Sequence, residues 1–215
     1  MDSVVFQNSP LPKFGSDSIF HFGEYSIHCE KLKGAVPPPS LSNLVGLEGT
    51  LFRRKPFMLL IRPALAQDVP LLRTMIHEFA EFEHDRTAAT DESLLRDGFG
   101  AKPMFRVLLA EWDGEPAGYS LFFDCYASFQ GPGIYLEDIY VRPQFRGTGI
   151  GRALCAQVAT IARRESRFGI MFTVMDWNRP AIEFYQRLGA TFLNDWKVVC
   201  LRGNTLEGLA KEARS

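Results

Sequence analysis

Twenty residues, Tyr135 to Leu154, constrain this chain more than any others: YLEDIYVRPQFRGTGIGRAL. The run passes from a buried-strand pattern, through a basic turn broken by glycines, into a helix with one apolar face. Ile139 and Val141 are β-branched and Tyr140 is aromatic, the composition of a strand covered on both sides. Pro143 ends the ladder because it brings no N–H and restricts the residue before it. Beyond the turn, Ile150, Leu154, Val158 and Ile161 recur at helical spacing and define one face. Between strand and helix lie Arg146-Gly147-Thr148-Gly149-Ile150-Gly151. Glycines there permit unusual φ and a close approach of backbone to ligand. The free N–H groups of the helix's first turn converge on the same spot, and its dipole adds partial positive charge. Arg146 and Arg152 add full charges, so the turn has the makings of a pyrophosphate cradle.

Two familiar cradles are excluded by spacing. A P-loop requires Gly-Lys-Ser/Thr, and no lysine follows Gly151. A dinucleotide fingerprint requires G-x-G-x-x-G in a first βαβ unit, whereas this is G-x-G-x-G placed late in the chain. Arg-x-x-Gly-x-Gly after a strand carrying acidic residues resembles the acyl-CoA loop of the GCN5-related N-acetyltransferase (GNAT) superfamily.

The flanking elements extend that reading. Met58–Arg62 is predicted as a strand; Asp68 caps a helix with Pro70 in its first turn, and Leu72, Met75, Ile76, Phe79 and Phe82 form its apolar face. A short helix over Asp91–Gly98 follows, then strands Phe105–Trp112 and Ala117–Phe123 joined through Asp113-Gly114. After the helix that ends near Arg164 come a strand, Gly169–Val174, and a helix capped by Asn178 and stopped by Gly189. A closing strand is expected over Trp196–Leu201. The order β, α, α, β, β, β, α, β, α, β predicts an α/β (mixed α+β) fold, one twisted mixed sheet with helices on both faces. It is also the element order of the GNAT acyl-CoA N-acyltransferase fold.

Residues 1–56 differ from the rest. Pro10, Pro12 and Pro37-Pro38-Pro39, with serines and glycines and no helical period, predict a loose or disordered extension, apart from a hairpin over Ser18–Phe22 and Tyr25–Ile27. An alternative start at Met58 is a second reading of the same boundary. Residues 57–215 form the domain proper. Hydrophobic residues at 46% are enough for a real core, and a net charge of −1 without a basic block argues against nucleic-acid binding. Four scattered cysteines, Cys29, Cys125, Cys155 and Cys200, fit neither a disulfide framework nor a metal site. Neither a membrane-length apolar run nor a signal region is present, so a soluble, cytoplasmic protein is expected. His21, His28, His77 and His84 lack ligand spacing, and no metal is expected.

Across Met58 to about Leu201 the chain resembles the spermidine/spermine N1-acetyltransferase (diamine acetyltransferase) branch of the superfamily. The matching pieces are IRPALAQDV at Ile61, LLRDGFG at Leu94, YLEDIYV at Tyr135, RGTGIG at Arg146 and WNRPAIEFYQRLGA at Trp177. The resemblance implies acetyl-CoA as co-substrate, with Ile139 and Val141 giving backbone hydrogen bonds to the pantetheine arm. It implies that Arg146, Gly147, Thr148, Gly149, Ile150 and Gly151, helped by Arg152, hold the pyrophosphate. Asn178 and the turn through Pro180 and Ala181 would contact the CoA, and a homodimer follows by the same analogy.

The chemistry of acetyl transfer points to the same residues. An alkylammonium titrates near 10.4, so freeing the amine at pH 7 costs about 4–5 kcal/mol. A carboxylate reaching it directly or through water can take the proton. Glu137 and Asp138 are adjacent on a strand, so only one can face the substrate. By resemblance that is Glu137, read as base or substrate anchor, against the alternative of a carboxylate paired with an arginine; Asp138 is read as structural. The leaving thiolate needs a donor, a task for a phenol; the family uses the tyrosine at Tyr185 as general acid. The oxyanion needs a strand N–H, from Ile139 or Tyr140. Glu83 and Asp195 match substrate carboxylates of the family. Ala127 and Phe129 stand where the branch carries Asp and Trp, which favours a diamine or a thialysine-like amino acid over a long polyamine. Two alternatives remain open: a protein lysine or N-terminal acetyltransferase, and an acyl-CoA-binding module without turnover.

Overall fold

The computed structural model describes residues 57–213, so the extension, its hairpin and His21, His28 and Cys29 lie outside the described residues. Five strands form one sheet in sequential order: β1 (Leu59–Pro63), β2 (Arg106–Trp112), β3 (Glu115–Ala127), β4 (Gly131–Val141) and β5 (Ile170–Met171). The first four pair antiparallel and β5 runs parallel to β4. The mixed sheet expected from the sequence is therefore present. Five helices accompany it: α1 (Val69–Phe82), α2 (Asp91–Phe99), α3 (Ile150–Arg164), α4 (Arg179–Leu188) and α5 (Gly203–Glu212).

Two cores lie on opposite faces of the sheet. On one, Ile150, Leu154 and Val158 of α3 pack on Leu108, Phe122, Ile134 and Leu136. On the other, Leu72 and Met75 of α1 pack on Val107, Leu109, Tyr119 and Tyr140. The helical spacing of the apolar residues dictates this, since each helix has one stripe to bury and the sheet has two faces to cover. Asp68 stands at the start of α1, but its carboxylate does not cap that helix. It accepts from the Leu65 N–H (2.7 Å) and from both terminal nitrogens of Arg62 (2.7 and 3.0 Å), tying β1 to α1.

Several predicted boundaries shift, β4 among them by starting at Gly131, and one element is corrected. β3 is longer than expected at both ends, α2 carries Gly98 inside it and ends at Gly100, and β5 shrinks to two residues. Trp196–Leu201 is not a strand: the segment is irregular, with Trp196 76% and Val199 84% exposed. Its β-branched residues favour extended backbone, but a strand also needs a ladder partner and a covered face. Among the described residues it has neither. The helix α5 carries no signal that the sequence reading used.

Candidate active site

The site begins with one irregularity in β4. Leu121 pairs with Asp138 and Phe122 with Leu136, so Glu137 has no partner on β3. One extra residue reverses the side-chain alternation. Leu136 and Ile139, three positions apart, thus both face the α3 core, while Tyr140 packs in the α1 core. Glu137 itself is exposed at the bulge. Asp138 turns toward the α1 side, where the Tyr119 hydroxyl donates to its Oδ2 at 3.0 Å.

The same strand offers open backbone. β5 pairs with β4 only at Ile134 and Tyr135, leaving the stretch from Leu136 to Val141 without a neighbour on that edge among the described residues. The Arg142 N–H donates to Ala117 O on β3 (2.9 Å). By strand alternation the Tyr140 N–H points the same way, and the N–H groups of Ile139 and Val141 point into the gap. Of the two oxyanion candidates, Ile139 is the one whose N–H faces the opening.

A short 3-10 turn, Pro143–Phe145, leads from β4 to the glycine loop. Gly147 (φ 77°) and Gly149 (φ 94°) are left-handed, and a Cβ at either would meet nothing within 4 Å, so the loop borders open space. The Thr148 hydroxyl donates to Phe145 O at 2.6 Å and closes the turn. No side chain caps α3, and its first internal bond is from the Ala153 N–H to Gly149 O. The preceding amides of that turn are therefore free to meet an anion, with the dipole in support. Arg146 donates through Nε to Val141 O (2.9 Å) and stacks its guanidinium over Phe82 at 4.6 Å. Arg152 projects exposed from the first turn of α3. Loop, helix end and arginines have the donors and charge that a nucleotide pyrophosphate requires.

Two helix ends complete the cleft. Asn178 Oδ1 accepts from the Ala181 N–H at 3.2 Å, with Pro180 inside the first turn, and this cap starts α4. Further along α4, Tyr185 lies buried against Phe172 (ring centroids 4.5 Å) and Phe184 (5.1 Å). Burial first, then the Cys155 thiol and the Glu83 carboxylate, push its hydroxyl well above the usual phenol range. It therefore stays protonated at working pH, and among the described residues no group accepts its proton. Cys155 is likewise raised by burial, to about 11, and is inert as a thiol. At the end of α1, Phe82 meets Trp177 (5.9 Å), as does His84 (6.2 Å), so that end of the helix is docked beside the start of α4. Between them sits Glu83, half-buried and raised by desolvation and by Asp85.

Glu83, Asp138, Tyr119 and Tyr185 thus share one electrostatic neighbourhood, in which the Glu83 charge acts on all three others. Asp138 is raised to about 6, by burial and by its acidic neighbours Glu137 and Glu83, against the lowering effect of the Tyr119 hydrogen bond. The Arg142 guanidinium is already engaged, by the Glu78 carboxylate at 2.8 and 2.9 Å. Asp195 lies apart, exposed in the irregular segment after α4. Among the described residues no group of His, Cys, Asp and Glu is arranged to hold a metal ion.

A family profile described as Acetyltransferase (GNAT) family matches residues 71–190, from α1 through the end of α4. The chain belongs to the acetyltransferase (GNAT) family. It is an acetyl-CoA-dependent N-acetyltransferase of the spermidine/spermine acetyltransferase branch. A thialysine N-epsilon-acetyltransferase of Sus scrofa is 38% identical over 164 residues, covering 70% of this chain and 96% of the relative. A spermidine/spermine N(1)-acetyltransferase-like protein 1 of Homo sapiens is 34% identical over 143 residues, covering 62% of this chain and 21% of that protein. An integron cassette protein from V. cholerae shares the fold with a TM-score of 0.60 at 23% identity, over 71% of this chain and 98% of its own.

Sequence reasoning did not single out Tyr119 or the side-chain role of Asp138. Both depend on the bulge at Glu137, and a strand sequence carries no period that marks where one residue is extra. The Arg146–Phe82 stack was equally invisible, because it joins elements 64 residues apart in sequence through the tertiary fold.

Proposed function

We propose that this enzyme acetylates a primary amine of a small diamine or a thialysine-like amino acid by direct attack on acetyl-CoA. One observation carries the reading. Half-buried carboxyls, Glu83 and Asp138, have no cationic partner among the described residues; the Glu83 charge acts on the Tyr185 hydroxyl, and Asp138 stands on β4, whose open edge leads to the uncapped end of α3. Carboxyls raised by burial attract a positive group, and an alkylammonium is one. The name of the Sus scrofa relative supports the thialysine choice; polyamines are the longer members of the same substrate class.

In this mechanism the amides of Gly149 to Arg152 and the guanidinium of Arg146 bind the pyrophosphate. Asn178, Pro180 and Ala181 flank the CoA, and Ile139 and Val141 hydrogen-bond the pantetheine arm. Glu137, exposed at the bulge, takes the ammonium proton through water. The neutral amine attacks the thioester carbon, forming the N–C bond; the oxyanion is met by the Ile139 N–H, the C–S bond breaks as the Tyr185 O–H gives its proton to the leaving sulfur, and the surplus proton on nitrogen returns through water to the Tyr185 oxygen. Glu83 and Asp195 serve as substrate carboxylates, the latter when the segment after α4 is brought in by assembly. The working unit in this reading is a homodimer. A cytoplasmic setting is supported by free Cys125, Cys155 and Cys200.

Thiol release from acetyl-CoA, measured with putrescine, spermidine, spermine, lysine and thialysine, tests the proposal. Turnover with short amines supports it. Turnover confined to peptides would favour the protein acetyltransferase reading, and CoA binding without thiol release would reduce the chain to a binding module.

A further inference from the structure

Tyr119 sits in mid-β3 with 0% of its surface exposed, in the core under α1. A phenylalanine would fill that volume without requiring a polar partner. The hydroxyl is nevertheless used, as the donor to Asp138 Oδ2 at 3.0 Å. Tyr119 pairs across the ladder with Tyr140, so Asp138 is its diagonal neighbour, within reach of an aromatic side chain. Without the extra residue at Glu137, side chains 138 and 140 would face away from it.

The groups around Asp138 are Tyr119 from β3, Glu83 from the end of α1, and Glu137 and Tyr140 along β4. Tyr140 is committed to Glu78 through its own hydroxyl (3.3 Å), and Glu78 to Arg142. Arg146 is committed to Val141 O and Phe82. Among the described residues, every charged neighbour that acts on Asp138 is therefore negative, and its one side-chain hydrogen-bond partner is a neutral donor. Asp138 is only partly buried, so it keeps some contact with solvent. A buried carboxylate held by a neutral donor among acids is complementary to a cation arriving from solution.

Resting on the acetyl-transfer reading above, we propose that Tyr119 is a positioning residue for the acceptor amine. Its hydroxyl fixes Asp138 in the ionised, cleft-facing form that pairs with the substrate ammonium, and so sets the lowest pH at which the enzyme takes up its amine. Glu137 remains the proton acceptor. Tyr119 is itself pushed well above the phenol range by burial and by Asp138, so it is a donor at every working pH. Its bond favours ionised Asp138 while burial, Glu137 and Glu83 oppose it.

The test is Tyr119→Phe, which keeps the ring and deletes the hydroxyl. Steady-state kcat and KM for thialysine and putrescine are measured from about pH 5 to about pH 8, with acetyl-CoA saturating. In the wild type the amine KM should climb as pH falls through about 6. Losing a neutral hydrogen bond of about 1 kcal/mol should move that limb up by roughly 0.7 pH unit, a KM increase of about threefold near its midpoint and about fivefold well below it, with kcat and the acetyl-CoA KM little changed. Glu83→Gln should move the limb the other way. Superimposable KM profiles for wild type and Tyr119→Phe would overturn the proposal, as would losses in kcat and KM that are equal at all pH values. Should Tyr119→Phe fail to fold, Asp138→Asn decides: its amine KM should be raised and flat over the same range, and a retained limb overturns the proposal. A wild type that releases no thiol with any amine would instead sink the transfer reading, and this proposal with it.

Discussion

In the proposed mechanism Tyr185 gives a hydrogen bond to a departing sulfur, yet its surroundings of Phe172, Phe184 and a raised thiol make its own ionisation costly. Those demands agree, because a donor that never ionises in the resting enzyme is always ready. Tyr185→Phe keeps the ring in place and should lower kcat by about 10²- to 10⁴-fold with the acetyl-CoA KM little changed; unaltered kcat at every pH would remove Tyr185 from the mechanism. Asp138 shows the opposite economy. Its folded value, about 6, lies above the ordinary 3.8, so the fold favours the protonated form. The stability it allows is complete below 3.8 and is lost as pH rises through 6. Asp138→Asn keeps an acceptor for Tyr119 and should stabilise the ligand-free protein at pH 7 by on the order of 1–3 kcal/mol, with no gain near pH 4. Thermal melts at the two pH values check this, and equal shifts at both would contradict the assignment.

At the scale of elements, the proposed anion site joins the loop and α3, parts that are local in sequence. Gly149 holds φ 94° at the start of the helix and faces open space. Gly149→Ala forces a side chain into the left-handed region, at about 1 kcal/mol, and shrinks the cradle. CoA binding measured by calorimetry should weaken roughly tenfold or more, while the amine KM changes less; unchanged CoA affinity would place the pyrophosphate elsewhere. Local legibility explains why this part could be read from the sequence. Strand, proline, glycines and an apolar period of 3.6 lie within twenty residues, and Asn178 with Pro180 and Gly189 announce α4 in the same way. The bulge at Glu137 left no such mark, since it is a relation between β3 and β4. Trp196–Leu201 misled for a related reason: its residues favour a strand, but a ladder is made by two partners.

At the scale of the whole domain, an apolar strip lies exposed among the described residues. Trp196, Val198, Val199 and Leu201 are exposed after α4, and the sheet ends at a two-residue β5 whose outer edge has no described neighbour. An extended apolar segment and an open edge are complementary in two copies of one chain. Light scattering should find a dimer, and Val198→Glu with Val199→Glu should give a monomer that keeps its CoA affinity. A wild type that is monomeric at all concentrations would refute the assembly and leave Asp195 without a route to the cleft. The sequence by itself determined the reaction class, the glycine loop leading into α3 and the helix carrying Tyr185, because each is written in contiguous residues whose propensities and spacing act locally. Only the tertiary structure decided which carboxylate turns inward, that Tyr119 holds it, and which β4 amides face the gap, because those follow from strand register and from burial, which depend on residues far apart along the chain.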